Sequence, residues 1–249
     1  MMIKITAKCS MNCSHCMNNA TANGKHMDFD TFKKVVNFQN KYGGPFCMLT
    51  GGEPSEHPEF QTFLEYAIQH MPYTFITVAT NGLWMTIHPD FIAYCMARYG
   101  LRILFQVSHD PQYYPIPVDL SLPVFQMQNV VVIDKIPKIY PQGRALDNNM
   151  SWDAKGSKCF NVRAVANQVE FKSLGHIIGV LTAKEKICTP HIAIDGSIKL
   201  GESDLCPPCS HIDKSHDDII QDILNFRCQK CQHVNRNLES HYRQLIGEP

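Results

Sequence analysis

Cys9, Cys13 and Cys16 fall within eight residues, in the run Cys9-Ser10-Met11-Asn12-Cys13-Ser14-His15-Cys16. Three thiolates that close in sequence can hold three irons of a [4Fe–4S] cluster. The fourth iron is then left without a protein ligand. Such an iron offers a place for another molecule to coordinate, by the logic that separates open catalytic metal sites from closed structural ones. A zinc knuckle completed by His15 or His26 draws on the same residues. A second group comprises Cys188, Cys206, Cys209, Cys228 and Cys231. Two cysteines flanking a hairpin, plus the two-spaced pair Cys228–Cys231, supply four ligands for one more metal, and a zinc ribbon satisfies that spacing too. The count of eleven cysteines is odd, and clusters of this kind in a chain without an export signal point to metal rather than to disulfides.

A further segment, Gly51-Gly52-Glu53-Pro54, follows Cys16 by 35 residues. Two glycines allow close approach of the backbone to a ligand. The glutamate and nearby backbone groups can accept hydrogen bonds from an ammonium. Of the remaining cysteines, Cys47 and Cys95 lie on apolar segments and read as small core residues. Cys159 and Cys209 lie in polar loops. An accessible thiol there can take part in chemistry on a substrate, which makes both candidate catalytic residues.

The elements that must position these residues repeat as strand, loop and helix. Short apolar runs at Ile3–Thr6, Phe46–Leu49, Phe75–Ala79, Leu101–Val107, Val130–Ile133 and Ile136–Tyr140 read as buried strands. Met27–Asn40 and Glu59–His70 carry helical apolar stripes, and Pro89 opens a third helix. That alternation predicts a parallel sheet with crossover helices, open or barrel-like. Polar residues at 145–160 place a boundary between residues 1–150 and 151–249. In the second part, Asp195-Gly196 between alternating runs predicts a type I′ hairpin. Ser215 to Asp218 reads as a capping box ahead of a helix with Ile219, Ile220, Ile223 and Leu224 on one face.

Composition narrows the function classes. Hydrophobic residues make up 44% of the 249 and charged residues 18%, which suits a folded core rather than a disordered chain. The formal net charge is zero, and no long basic stripe suggests bulk nucleic-acid binding. No apolar run reaches the ~18–20 residues that span a bilayer. With no export signal, the expected location is the cytoplasm.

Together the Cys9–Cys16 run and Gly51-Gly52-Glu53-Pro54 resemble the radical S-adenosylmethionine (SAM) superfamily over about residues 1–145. The resemblance implies a partial (β/α)6 TIM barrel, with the [4Fe–4S] cluster on Cys9, Cys13 and Cys16 in the loop after the first strand. It implies that the open iron binds SAM through its amino and carboxylate groups, near Gly51, Gly52, Glu53 and Pro54. Ser108 and Asp110 follow the fourth strand, where the family places polar contacts to the SAM ribose. Asn81 follows the third strand as a lining residue. Gly143-Arg144-Ala145 looks like a segment of the peptide-modifying branch in which the arginine reaches the SAM carboxylate, a pairing that suits bidentate geometry. His15 stands where the family usually has an aromatic. Residues 185–235 resemble the Twitch subdomain, a shortened relative of the SPASM domain built from a β-hairpin and a helix. That implies a second, auxiliary [4Fe–4S] cluster on Cys188, Cys206, Cys228 and Cys231, with Cys209 able to replace Cys206.

What the family does then sets the expected activity. One electron, from a flavodoxin- or ferredoxin-like donor, leads to reductive cleavage of SAM and a 5′-deoxyadenosyl radical that abstracts hydrogen from carbon. The auxiliary cluster would accept or relay an electron, giving dehydrogenation or cross-linking, and a donor thiol would give epimerisation instead. The arginine segment and the C-terminal module lean toward a peptide or protein substrate. Cys9 lies so near the start that leader recognition would fall to a separate protein. A sugar, cyclitol or nucleotide is the alternative substrate. A non-catalytic zinc-binding module is the alternative of another class.

Overall fold

The computed structural model describes residues 1–136, 139, 143–148, 150, 174–175, 191–200 and 206–226. Strands β1 (Met2–Thr6), β2 (Phe46–Gly51), β3 (Phe75–Thr80), β4 (Ile103–Ser108), β5 (Val130–Ile133), β6 (His191–Ile192), β7 (Ser197–Lys199) and β8 (Pro208–His211) form one sheet. Its order is β5-β4-β3-β2-β1-β6-β7-β8. Neighbours from β5 through β6 run parallel, and β7 and β8 continue antiparallel. The helices are α1 (Phe29–Tyr42), α2 (Phe60–His70), α3 (Leu83–Ile87), α4 (Pro89–Tyr99), α5 (Arg144–Asp147) and α6 (His216–Asn225).

Strand alternation sorts the side chains onto two faces. Ile3, Ile5, Leu49, Ile76, Val78, Phe105 and Val107 are buried in one apolar cluster with Phe32, Val35, Phe63, Leu64 and Ile92 from the helices. Cys47 and Cys95 belong to that cluster, as the sequence suggested. The alternate positions, among them Lys4, Thr50, Ala79 and Ser108, line cavities on the opposite face. Local signals explain the helix starts. Asp28 caps α1 by accepting from the Thr31 backbone N–H at 2.7 Å, and Ser215 caps α6 by accepting from the Asp218 N–H at 3.2 Å.

Three sequence expectations change. The 195–196 turn is not type I′, because only Gly196 has a positive φ there, +82°. Ala193 N–H bonds Ser197 O and Gly196 N–H bonds Ala193 O, which makes a three-residue loop closed by a left-handed glycine. The hairpin itself does not stand apart: β6 pairs with β1, so it extends the main sheet. Ile136 is outside any strand, and the rest of the 136–140 run is mostly outside the described residues. Helix α3 was not anticipated.

Candidate active site

The loop between β1 and α1 carries Cys9, Cys13 and Cys16 to the C-terminal end of the sheet. Backbone bonds hold its start: Cys9 N–H to Thr21 O at 2.9 Å and Thr21 N–H to Ala7 O at 3.3 Å. Left-handed backbone at Asn12 (φ 52°) and Asn19 (φ 47°) bends it, a conformation asparagine tolerates better than most residues. Distant side chains clamp the rest. Ser10 N–H and Oγ donate to the two Glu56 carboxylate oxygens, each at 2.7 Å. Arg144 donates from Nη1 to Cys13 O at 2.8 Å and from Nη2 to Ala20 O at 2.6 Å. Asn148 Nδ2 donates to Ser14 O at 2.9 Å.

The glycine segment after β2 is the other support. A Cβ on Gly51 would stand 2.1 Å from Thr6 O, and one on Gly52 would stand 2.1 Å from Lys8 O. Gly52 N–H and Glu53 N–H bond those same carbonyls, each at 2.8 Å. The close approach that the two glycines permit is therefore made to the strand carrying the cysteine loop, and their edge also lines the cavity.

Glu53 departs from the expected role as an acceptor for a ligand ammonium. The residue is 2% exposed. Oε1 accepts from Ser55 Oγ at 2.7 Å, Ser55 N–H at 3.2 Å and Thr80 Oγ1 at 2.8 Å, and Oε2 accepts from Asn81 N–H at 2.6 Å. Burial pushes its pKa up while these four donors pull it down. Glu53 braces the end of β2 to the end of β3. Arg144 likewise reaches loop carbonyls rather than an open position. Asp110 is 9% exposed and ties its own loop to the segment after β5, accepting from Gln112 N–H at 3.0 Å and Ile136 N–H at 2.8 Å. Pro54 is buried at the start of a 3₁₀ turn, Pro54–Glu56.

A cavity of about 330 Å³ gathers the remaining candidates. Cys9, Cys13, Cys16, Gly51, Gly52, Asn81 and Ser108 all line it, with Thr80 and Tyr114. Asn81 is oriented by its Oδ1, which accepts from Leu83 N–H at 2.9 Å. His15 packs against Tyr113 and Tyr114 at ring distances of 5.3 and 5.0 Å, so the atypical histidine still sits in an aromatic wall. Burial pushes the Cys9 thiol up to about 11 and the Cys13 thiol up to about 12. Among the described residues no three His, Cys, Asp or Glu side chains converge on one ion position. His26 Nδ1 is within 2.9 Å of Thr6 Oγ1, and His15 is held by the tyrosines. Cys9, Cys13 and Cys16 line one cavity, an arrangement that fits a cluster on which each thiol has its own iron.

The second cysteine group is only partly in view. Cys206 is buried, while Cys159, Cys188, Cys228 and Cys231 lie outside the described residues. Cys209, on β8, donates to Ile198 O at 3.1 Å and does not line the cavity. Burial pushes its thiol up to about 12, which keeps it in the S–H form. Sequence reasoning missed Glu56, Thr80 and Asn148. Glu56, three residues past Glu53, was the one legible signal, because that spacing places both on a single turn.

Residues 3–117 match the family described as the radical SAM superfamily. Residues 3–117 are a radical SAM domain. The superfamily implies an enzyme that uses SAM and a [4Fe–4S] cluster. Among solved structures, BtrN in complex with AdoMet and 2-DOIA is similar at 13% identity, with 98% of this chain and 87% of that one covered and a TM-score of 0.57. Native anSMEcpe with bound AdoMet is similar at 12% identity, covering 93% and 82%, with a TM-score of 0.50. These likenesses show a shared fold. A comparison with curated protein sequences finds no match. No helix among the described residues is long and apolar enough to cross a membrane.

Proposed function

We propose that this radical SAM protein abstracts hydrogen from a carbon of a compact substrate held against the open face of the sheet. The observation that carries the reading is the convergence of Cys9, Cys13, Cys16, the Gly51–Gly52 edge, Asn81 and Ser108 on one cavity. When bound, the cluster and SAM supply the one-electron chemistry that amino-acid side chains lack. The chain's own residues do the rest. Cys9 and Cys13 arrive as thiols and release their protons on ligating iron. Arg144, Asn148 and Glu56 fix the loop that aims the thiols. Asn81 and Ser108 offer polar contacts at the strand ends, and Met11, Ile133 and Tyr114 form an apolar wall that limits water around a reactive intermediate.

Two observations favour a compact substrate over a peptide. Arg144, on which the likeness to the peptide-modifying branch leaned, is committed to loop carbonyls. The cavity of about 330 Å³ is at the small end of ligand pockets and has SAM to admit as well. BtrN's complex with AdoMet and 2-DOIA, matched over 98% of this chain, agrees with that choice. A peptide presented by a separate leader-binding protein is the competing substrate. The reading also includes an auxiliary [4Fe–4S] cluster on Cys188, Cys206, Cys228 and Cys231, to take an electron from the substrate and make the net reaction an oxidation.

The test is anaerobic reconstitution of the full chain, counting iron, sulfide and zinc, then assaying 5′-deoxyadenosine with SAM and dithionite. About eight irons per chain are expected, falling to about four when Cys228 and Cys231 are both replaced by Ala. Little iron, bound zinc and no 5′-deoxyadenosine would overturn the enzyme reading.

A further inference from the structure

Lys4 and His191 come together beside the active-site cavity, in a place neither the cysteine motif nor the glycine segment accounts for. Ile3 and Ile5 of β1 are fully buried in the helix-side core, so alternation puts Lys4 on the opposite face, where it is 7% exposed. On β6, His191 pairs with Met2 and Ile192 pairs with Ile3. His191 therefore shares the face of Lys4. Both side chains, with Asn18, Thr50 and Gly51, line a gap of about 10 Å³, room for one water-sized group. Asn18, Thr50 and Gly51 are also walls of the main cavity, which makes the gap an alcove of the site.

The alcove carries polar groups still open to a ligand, among them the Oδ1 of Asn18, which has no hydrogen-bond partner among the described residues. His191 is 2% exposed, and its Nδ1 has no hydrogen-bond partner among the described residues. A buried polar atom left that way is costly, and a ligand atom seated there removes the cost. Burial, then the positive charges of Lys199 and Lys4, hold the ring down to about 3, so it is an uncharged imidazole beside two cations. The Lys4 ammonium carries three N–H donors, enough for a ligand alongside any other bond it makes.

We propose that Lys4 and His191 form a subsite for an anionic oxygen, a carboxylate or phosphate oxygen of the substrate, gripping the substrate by its charged end at the edge of the SAM cavity. The assignment rests on the enzyme reading above, and its test needs no turnover. The reconstituted full-length protein, labelled with ¹⁵N-histidine, is titrated with sodium phosphate and separately with sodium acetate at fixed ionic strength. The His191 ring signal is identified by its absence from His191→Gln. At least one anion is expected to shift that signal saturably, with and without SAM bound. Lys4→Met is expected to weaken the apparent affinity by about tenfold or more, and Lys4→Arg to restore most of it.

A wild-type signal that fails to saturate with both anions overturns the proposal, and this arm stands even if Lys4→Met does not fold. An equal response in folded Lys4→Met also overturns it. So does abolition of the shift by SAM, because the occupant would then be the SAM carboxylate. Failure of the enzyme reading shows separately, as absent 5′-deoxyadenosine with the anion titration intact.

Discussion

At the scale of single residues, the site is built less by side chains that face the cavity than by side chains that hold its backbone. Arg144→Ala removes two charge-assisted bonds to loop carbonyls. Such bonds contribute about 1.5–3 kcal/mol each, so the variant is expected to retain less than about half of the reconstituted iron. SAM affinity of the loaded fraction should stay within about twofold of wild type. Full iron with a tenfold loss of SAM affinity would restore the carboxylate-binding role that the family resemblance implied. His191 yields a separate prediction. Its folded pKa of about 3 lies below the ordinary 6.5, so the unfolded chain takes up a proton that the folded chain refuses. Stability is therefore lost as pH falls from 6.5 toward 3, by about 1.4 kcal/mol per unit for this one group. Urea unfolding at several pH values should show that slope in wild type and a shallower one in His191→Gln. The motif spacing told where Glu53 and Arg144 lie along the chain. It was silent on their partners, because Arg144 meets Cys13 across 131 positions of sequence and no local pattern encodes that contact.

At the scale of elements, strands and long helices were legible because each has one buried and one open face, and the hydrophobic period records it. Boundaries moved by a few residues: α1 runs to Tyr42, and β2 continues to Gly51. Helix α3 escaped because five residues between Gly82 and Pro89 hold too little periodicity to read. The hairpin was found, but its turn type was not, since Asp-Gly serves both a two-residue and a three-residue loop. The glycine segment shows what a contact between elements can demand. Gly51→Ala and Gly52→Ala each put a methyl against backbone carbonyl oxygen at 2.1 Å, which cannot rotate away. Each is expected to cost about 1–3 kcal/mol, lowering Tm by roughly 2–4 °C per kcal/mol, and to reduce iron loading because Thr6 and Lys8 lead directly into the cysteine loop. Unchanged iron loading with a normal Tm in both variants would remove the glycines from that supporting role.

At the scale of the molecule, the sequence order of strands gave no hint that β6 lies beside β1 rather than beyond β5. That placement creates the Lys4–His191 alcove, and so the alcove was also illegible: Lys4 within Ile3-Lys4-Ile5 looks like the wet side of an ordinary strand. The same adjacency has a consequence for biosynthesis. β1 leaves the ribosome well before the strand that covers its outer edge, which begins at His191. At roughly 5–20 residues per second, that edge stays bare for about ten to forty seconds of translation. An uncovered strand edge invites pairing with other chains, so the growing polypeptide passes through a long interval of vulnerability. Ribosome-bound intermediates halted with β5 emerged but β6 still untranslated are expected to be cleaved by protease around β1. Those with β8 emerged should resist.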